Sequence, residues 1–337
     1  MEIKNLLTEL SESCGIGNIT DVTEVLQKYL SQFGNIECFS GLTKCLTIKG
    51  KSDYTILIDA HIDEVGFIVT DVSNGGFLTV SNLGGIDPRH LPAKPVTIHG
   101  KQKVCGVFVS TPPHLEKNDN AIEDISKIKI DTGIGERAKE IISVGDVVTY
   151  RQNADILNGN TICGKSLDNR AGVAALILLA ERLYKKKLPV TVKLLFSDAE
   201  ELGLRGAKTA AFGIGADEAV VIDVSFGDGP DIPKTMCGIQ GAGGMIGISP
   251  VLNRDMTDHL IISANDNNIP YQNEVMGEKT STNADVISIC GGGIPTALVS
   301  IPLRNMHTDV ETVKICDVLA VTDLLEKYIL SGGLQNA

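Results

Sequence analysis

Acidic residues and histidines follow several short apolar segments of this chain. These apolar segments lie at 55–58, 190–196, 219–222 and 296–301. The residues that follow them are His61, Asp63, Glu200, Glu201, Asp223 and His307, and Asp168 stands just before a long helical pattern. If the segments are strands of an open α/β sheet, ligands bind beyond their carboxyl ends. The spacing therefore predicts one site, rich in carboxylates and imidazoles, at a single edge of a sheet.

This donor set is typical of a divalent metal site. Two imidazoles combined with several carboxylates suit Zn²⁺, Co²⁺ or Mn²⁺, and they suit Mg²⁺ less well. The scattered cysteines form no CxxC pair, so the ligands are expected to be oxygen and nitrogen atoms. The candidates outnumber the ligands of one tetrahedral ion. Two ions about 3.5–4 Å apart, bridged by a carboxylate and a water, would use them all.

Each candidate residue also has a purely structural interpretation. Asp168 could be the N-cap of the following helix, and Glu200 with Glu201 could simply favour a helix dipole. Asp223 could end a strand by bonding a turn, and a single histidine such as His307 is more often hydrogen-bonded structure than a ligand. The coincidence of all of them at equivalent points of the sheet favours the metal site. The remaining histidines lack this pattern, and we interpret them as structural or surface residues: His90, His99, His114 and His259.

The elements that must position these residues change character along the chain. Helical periodicity alternates with apolar strands before residue 66 and after residue 163. The predicted helices cover 3–11, 20–33, 169–187, 201–212, 254–267, 283–289 and 312–330. This alternation predicts an α/β fold with a mixed, largely parallel sheet flanked by helices. Residues 67–163 instead contain short strands broken by Gly, Pro and Asn, so we predict a catalytic domain of residues 1–66 and 164–337 with an inserted β-rich domain of residues 67–163.

Composition and charge argue against several classes of partner. The 337 residues include 42 Asp and Glu against 30 Lys and Arg, which gives a net charge of −12. Such an acidic chain is not expected to bind nucleic acid or an anionic membrane surface. No segment approaches the roughly 18 consecutive apolar residues of a membrane span, and the first residues do not resemble a signal peptide. A cytoplasmic protein is expected, and its eight cysteines are expected to be buried free thiols.

Four segments of the chain carry a family resemblance. They are His-Ile-Asp-Glu-Val-Gly at 61–66, Ser-Leu-Asp-Asn-Arg-Ala-Gly at 166–172, Ala-Glu-Glu-Leu-Gly-Leu-Arg-Gly-Ala at 199–207 and Arg-Asn-Met-His at 304–307. Together they resemble the tetrahedral (TET-type) dinuclear metalloaminopeptidases, a family that includes glutamyl, lysyl and deblocking aminopeptidases and some proteins labelled endoglucanase M. The resemblance covers essentially the whole chain. It implies a zinc-peptidase-like catalytic domain with an inserted, small β-barrel-like domain.

The resemblance also implies which residues bind metal. His61 and Asp223 would bind one divalent ion, Glu201 and His307 would bind the other, and Asp168 would bridge them. The ions would be Zn²⁺ or Co²⁺, with Mn²⁺ as an alternative. Relatives assemble as tetrahedral dodecamers through the inserted domain, so a large homo-oligomer is expected.

The activity implied by the resemblance is removal of N-terminal residues from peptides. Glu200 would be the general base that takes a proton from a water shared by the ions and returns it to the leaving amine. Asp63 would orient His61 through the ring nitrogen that faces away from the metal.

The chain departs from the family pattern at three places. Asn169 replaces a second Asp, residues 279–285 differ from the usual Gly-Gly-Thr-Asp type, and residues 305–309 differ from the commoner Tyr-Met-His-Ser-Pro. Asn is expected to preserve the backbone geometry at 169. The other two departures lie where relatives shape the substrate pocket, so the preferred N-terminal residue stays open.

Other functions compete with the aminopeptidase. A glycoside hydrolase needs two carboxylates facing each other across a sugar, and nothing singles out such a pair in a chain with 4% aromatic residues and no Trp. A metal-dependent deacylase or carboxypeptidase could use the same ligands. A non-enzymatic scaffold is disfavoured because all proposed ligands and Glu200 are present.

Overall fold

The computed structural model describes residues 1–110 and 124–336, so His114 lies outside the described residues. The helices in these ranges are α1 (Ile3–Glu12), α2 (Asp21–Leu30), α3 (Ala138–Ile141), α4 (Leu167–Leu183), α5 (Arg205–Ile214), α6 (Arg254–Asp266), α7 (Ala284–Ile287) and α8 (Ile315–Ser331). The strands in the first half are β1 (Ile36–Cys38), β2 (Lys44–Ile48), β3 (Thr55–His61), β4 (Gly66–Val72), β5 (Phe77–Leu83), β6 (Pro95–His99), β7 (Lys103–Phe108), β8 (Lys129–Asp131), β9 (Val147–Tyr150), β10 (Asp155–Leu157) and β11 (Thr161–Gly164). The strands in the second half are β12 (Thr191–Ser197), β13 (Glu218–Phe226), β14 (Gly244–Ile248), β15 (Tyr271–Val275), β16 (Thr296–Arg304) and β17 (Glu311–Lys314).

Within the described residues, eleven strands form one mixed sheet. Its order is β1-β2-β12-β3-β13-β16-β17-β11-β10, and β14 with β15 branches from β16. The central strands β12, β3, β13 and β16 are parallel, whereas β2 and β17 pair antiparallel with their inner neighbours. The predicted mixed α/β sheet is therefore confirmed, with its parallel part at the centre.

Helices cover both faces of this sheet, which explains why its central strands are nearly continuous apolar runs. On one face, α4 and α8 pack on the sheet through a cluster that includes Leu179, Val220 and Leu325. On the other face, α5 and α7 pack through a cluster that includes Leu57 and Ala211. Loops, rather than helices, lie at the sheet edge beyond the carboxyl ends of the central strands.

A second core lies inside a closed barrel of strand order β4-β5-β8-β7-β6-β9. Alternate residues of its strands, such as Phe67, Val69 and Ile98, point inward and are buried. The rings of Phe67 and Phe108 meet edge to face with centroids 5.0 Å apart. The predicted small barrel-like unit is confirmed.

The strands on the two sides of residue 151 belong to different sheets. The barrel strands end at Tyr150, whereas β10 pairs with β11 and β11 pairs with β17 of the large sheet. The division of the chain at residues 66 and 163 stays a prediction. The strand pairing favours a second boundary near residue 151.

Two helices begin later than their apolar periodicity predicts. The helix predicted at 201–212 begins at Arg205, because Ala199 and Leu204 have positive φ angles and form a turn before it. The segment predicted as a helix at 312–330 begins as β17, and α8 follows at Ile315. The turn before α5 carries two of the predicted site residues.

The eight cysteines are free, as predicted. Their predicted burial is wrong for Cys38, Cys105 and Cys316, which are exposed. Cys38 lies on the edge strand β1, and Cys105 lies on β7, where alternate residues face away from the barrel core. Among the helices of the described ranges, none combines the length and the apolar character needed to cross a membrane.

Candidate active site

Asp168 lies between the two histidines of the predicted site. Its Oδ1 atom is 3.0 Å from Nε2 of His61, and its Oδ2 atom is 3.3 Å from Nε2 of His307. The three residues come from the end of β3, the start of α4 and the turn after β16. The fold thus directs the two oxygens of one carboxylate to two different imidazoles.

Each histidine also meets a second acid. Asp223 Oδ1 lies 3.6 Å from Nε2 of His61, and Glu201 Oε1 lies 3.3 Å from Nε2 of His307. Ligand atoms of His61, Asp168 and Glu201 all lie within 4.8 Å of one another, an arrangement that could hold a metal ion. The structure therefore brings all five predicted metal ligands together, as two pairs on either side of Asp168.

The charge of this cluster suits a cation. In the described part of the chain, no Lys or Arg forms an ion pair with Asp168, Glu201 or Asp223. Burial, with the nearby acids Asp223 and Glu201, raises the pKa of Glu200 to about 9. Burial lowers the pKa of His307, but the carboxylates of Asp168 and Glu201 outweigh it and raise that pKa to about 11. A site that draws protons onto both acids and imidazoles has the negative potential that a divalent cation requires.

Asp168 can face the site because its neighbour caps the helix. Asn169 Oδ1 accepts a hydrogen bond from the backbone N–H of Gly172 at 3.1 Å, and its Nδ2 donates to the carbonyl of Ile222 at 2.8 Å. The backbone becomes helical only after Asn169. The interpretation of Asp168 as the N-cap is therefore wrong. Asn suits position 169 because an amide both accepts and donates.

Glu311 joins the two halves of the site and was not predicted. Its Oε2 accepts the backbone N–H of Asp168 at 3.0 Å, and its Oε1 accepts that of His307 at 2.7 Å. Burial, together with the charge of Asp168, raises the pKa of Glu311 well above its ordinary value. The sequence signal is weak, because Glu311 is a single acid just before the segment predicted as helical at 312–330.

Asp63 holds the turn that carries Glu200 and Glu201. Its two oxygens accept the backbone N–H groups of these residues at 3.0 and 3.1 Å. Its Oδ1 atom also lies 3.4 Å from Nδ1 of His61. The predicted orientation of His61 by Asp63 is compatible with this separation and stays a prediction.

Three of the other histidines lie apart from the predicted site. His99 Nε2 is 2.9 Å from the hydroxyl oxygen of Thr149, and the ring of His259 is 5.1 Å from that of Tyr328. His90 lies in a short 3₁₀ turn of the barrel loop. None of the three belongs to the candidate metal cluster found among the described residues.

Comparisons with known proteins point to one family of enzymes. The family model of the M42 glutamyl aminopeptidases matches residues 44–324. The lysyl aminopeptidase of Pyrococcus furiosus is 30% identical over 270 residues, which is 78% of each chain. The structure of a TET aminopeptidase from the marine sediment archaeon Thaumarchaeota archaeon SCGC AB-539-E09 aligns with a TM-score of 0.94 at 28% identity, over 99% of this chain and 97% of that one. The Pyrococcus horikoshii TET1 peptidase aligns with a TM-score of 0.86 at 27% identity, over 98% of this chain and 99% of that one.

These matches support one of the enzyme classes that the sequence left open. The family comprises metal-dependent peptidases, and the relative and the structures named above are peptidases or aminopeptidases. The prediction of an aminopeptidase is therefore confirmed. The fold, the sequence match and the acidic, histidine-containing cluster agree, and the chain belongs to the M42 glutamyl aminopeptidase family of peptide-bond hydrolases.

Proposed function

We propose that this chain holds two divalent ions and removes the N-terminal residue of peptides. The observation that carries the proposal is the position of Asp168, with one carboxylate oxygen toward His61 and the other toward His307. His61 and Asp223 would hold one ion, His307 and Glu201 the other, and Asp168 both. This mixture of imidazole and carboxylate suits Zn²⁺ or Co²⁺, with Mn²⁺ as an alternative.

Glu200 is the proposed general base and acid. Divalent ions in this site would polarise the carbonyl of the scissile peptide bond and acidify a water beside it. Positive charge nearby favours the ionised form of Glu200, which burial and acidic neighbours otherwise disfavour. The Glu200 carboxylate accepts a proton from the attacking water and delivers it to the nitrogen of the leaving amine. Asp63 fixes the turn on which this carboxylate stands.

A cavity beside Asp223 is the proposed pocket for the first side chain of the peptide. Its volume is about 600 Å³, and its lining includes Ser225, Phe226, Met245 and Glu274. Ser225 follows Asp223 by two residues in β13, so both side chains point to the same face of the strand. The lining combines apolar and polar groups with one acid, Glu274, and one base, Lys234.

A homo-oligomer is also part of the proposal. The Pyrococcus horikoshii TET1 peptidase can assemble into a tetrahedron or a large octahedral shell, and its likeness covers 98% of this chain. The barrel, within the predicted insertion of residues 67–163, is the proposed assembly unit, and the cytoplasm is the proposed location. Sedimentation of the metal-loaded protein at micromolar concentration tests the assembly, and a monomer there would contradict it.

The activity is tested with protein stripped by a chelator and reloaded with Zn²⁺, Co²⁺ or Mn²⁺. The substrates are aminoacyl p-nitroanilides, their N-acetylated forms and peptides with a blocked N-terminus. We expect metal-dependent hydrolysis of the substrates with a free amino group, and two ions per subunit by elemental analysis. Asp168→Asn should lose metal and activity, whereas Asp71→Asn, at an exposed position of β4, should lose neither. Preferential hydrolysis of the acetylated substrates would overturn the proposal in favour of a deacylase.

A further inference from the structure

A loop of the barrel contacts the imidazole of His307. The carbonyl of Gly85, just after β5, accepts a hydrogen bond from Nδ1 of His307, 222 residues away along the chain. A carbonyl can only accept, so in the neutral imidazole Nδ1 carries the proton and Nε2 keeps its lone pair. Nε2 is the atom that lies 3.3 Å from both Asp168 and Glu201. The contact therefore selects the tautomer that can bind a cation inside the cluster.

Two glycines allow this loop to approach the site. A Cβ atom on Gly85 would lie 3.3 Å from Nδ1 of His307, and a Cβ atom on Gly84 would lie 3.2 Å from Oε2 of Glu201. Gly84 also has a φ angle of +84°, which L side chains rarely adopt. The loop thus packs directly on both side chains of one proposed metal position.

An ion pair attaches the far end of the loop to the turn of His307. Nζ of Lys94, the residue before β6, lies 2.7 Å from Oδ1 of Asp309. The Asp309 side chain is only 5% exposed and that of Lys94 is 29% exposed, so water screens this pair less than a surface pair. Asp309 follows His307 by two residues. The loop of residues 84–94 is therefore tied at both ends to the segment that carries His307.

We infer that the barrel loop of residues 84–94 positions His307, so that the barrel completes one of the two metal positions. The inference rests on the proposed function, because it assigns His307 and Glu201 to one ion. Among the described residues, the hydrogen bonds and ion pairs of this loop reach His307 and Asp309 but not His61 or Asp223. Changes in the loop should therefore affect one ion and spare the other.

The first test is calorimetric titration of Zn²⁺ alone into the metal-free protein. Gly85→Ala places a methyl group against His307, and Gly292→Ala is the matched control because a Cβ atom there meets nothing within 4 Å. We expect Gly85→Ala to weaken one of two ions about tenfold, in line with changes around other metal-bound histidines. The second ion in Gly85→Ala, and both ions in Gly292→Ala, should keep the affinities of the parent.

Further variants identify the position affected and test the ion pair. In a Glu201→Gln protein, adding Gly85→Ala should lower the affinity for Zn²⁺ little further. In an Asp223→Asn protein, the same change should weaken binding of the ion that remains. Lys94→Met should weaken the same ion as Gly85→Ala. Lys94→Arg keeps the positive charge that Lys94→Met removes, so its affinity for Zn²⁺ should equal that of the parent.

The outcomes separate this inference from the proposed function. Unchanged binding of both ions in Gly85→Ala and Lys94→Met would overturn the inference and leave the proposed function intact. Equal weakening of both ions would also overturn it, because the loop would then act on the whole fold. A parent protein that binds no Zn²⁺, or cleaves no aminoacyl p-nitroanilide when loaded, would overturn the proposed function and the inference with it.

Discussion

Asp63 accepts a hydrogen bond from the backbone N–H of Glu200, with 3.0 Å between the nitrogen and Oδ1. Its second oxygen accepts the N–H of Glu201 at 3.1 Å. One buried carboxylate just after β3 therefore fixes the turn that carries the proposed base and a proposed ligand. This explains why the turn keeps its shape although Ala199 and Leu204 adopt positive φ angles.

Asp63→Asn should slow catalysis without loss of the bound metal. The Asn side chain keeps one acceptor oxygen, but its NH₂ group would face an N–H donor. We expect kcat to fall about 10–100-fold, the range seen when groups behind metal ligands are changed. The measurement is kcat on an aminoacyl p-nitroanilide together with metal content. Asp71→Asn, the same change at an exposed position, should retain the parent kcat, and a parent kcat in Asp63→Asn would contradict the role.

Glu200→Gln should nearly abolish turnover. The amide preserves the shape of the side chain but cannot accept the proton of water, so kcat should fall about 100–10,000-fold. Both ions should remain bound, because Glu200 is not a proposed ligand. Glu278→Gln, at an exposed position after β15, serves as the control. If Glu200→Gln with a full complement of metal cleaves as fast as the parent, the general-base role is wrong.

Metal affinity should rise with pH. Without an ion, the acids around His307 raise its pKa to about 11, so the imidazole holds a proton at neutral pH that a cation must displace. Below about pH 11, raising the pH makes this displacement easier, and the apparent affinity should increase about tenfold per pH unit for each proton released. The measurement is calorimetric titration of Zn²⁺ at three pH values between about 6 and 8. Repeating it in buffers of different ionisation enthalpy gives the number of protons released per ion bound. An affinity that does not change with pH would contradict the protonated cluster.

Glu311→Gln should weaken both the fold and the site. The Gln side chain can accept only one of the two N–H groups that Glu311 accepts, and the other would be left buried without a partner. Such a loss costs about 1–3 kcal/mol. We expect a lower melting temperature of the metal-free protein and weaker binding of Zn²⁺. Glu278→Gln should have the melting temperature and the Zn²⁺ affinity of the parent. If Glu311→Gln also has both, the two hydrogen bonds that Glu311 accepts contribute nothing to stability or to metal binding.

The central elements of the fold were predictable because burial constrains them strongly. A strand covered by helices on both faces must be apolar, and β3, β12, β13 and β16 appear as apolar runs in the sequence. The edge strands β1 and β10, and β11 beside β10, have only three or four residues. Such short segments lack a periodicity that separates them from loops, so only their hydrogen-bonding partners define them.

The candidate residues were predictable for a different reason. His61, Glu201 and Asp223 lie in or after apolar segments, and parallel strands bring their carboxyl ends to one edge of the sheet. Residue type then suggests the chemistry, since imidazole and carboxylate groups together favour a divalent metal. Glu311 was missed because it lies in a short segment whose strand pairing, rather than its own pattern, determines where it points.

The sequence by itself determined the class of fold, the ligand types and the edge of the sheet where they gather. Only the tertiary structure decided that Asp168 directs one oxygen to each histidine, that Glu311 holds the backbone of Asp168 and His307, and that Gly85 of the barrel contacts His307. The contacts of Asp168 with His61, of Glu311 with Asp168 and of Gly85 with His307 join residues separated by 107, 143 and 222 positions. Apolar periodicity reports which face of its own element a residue occupies, and such distant pairs meet only through the packing of whole elements.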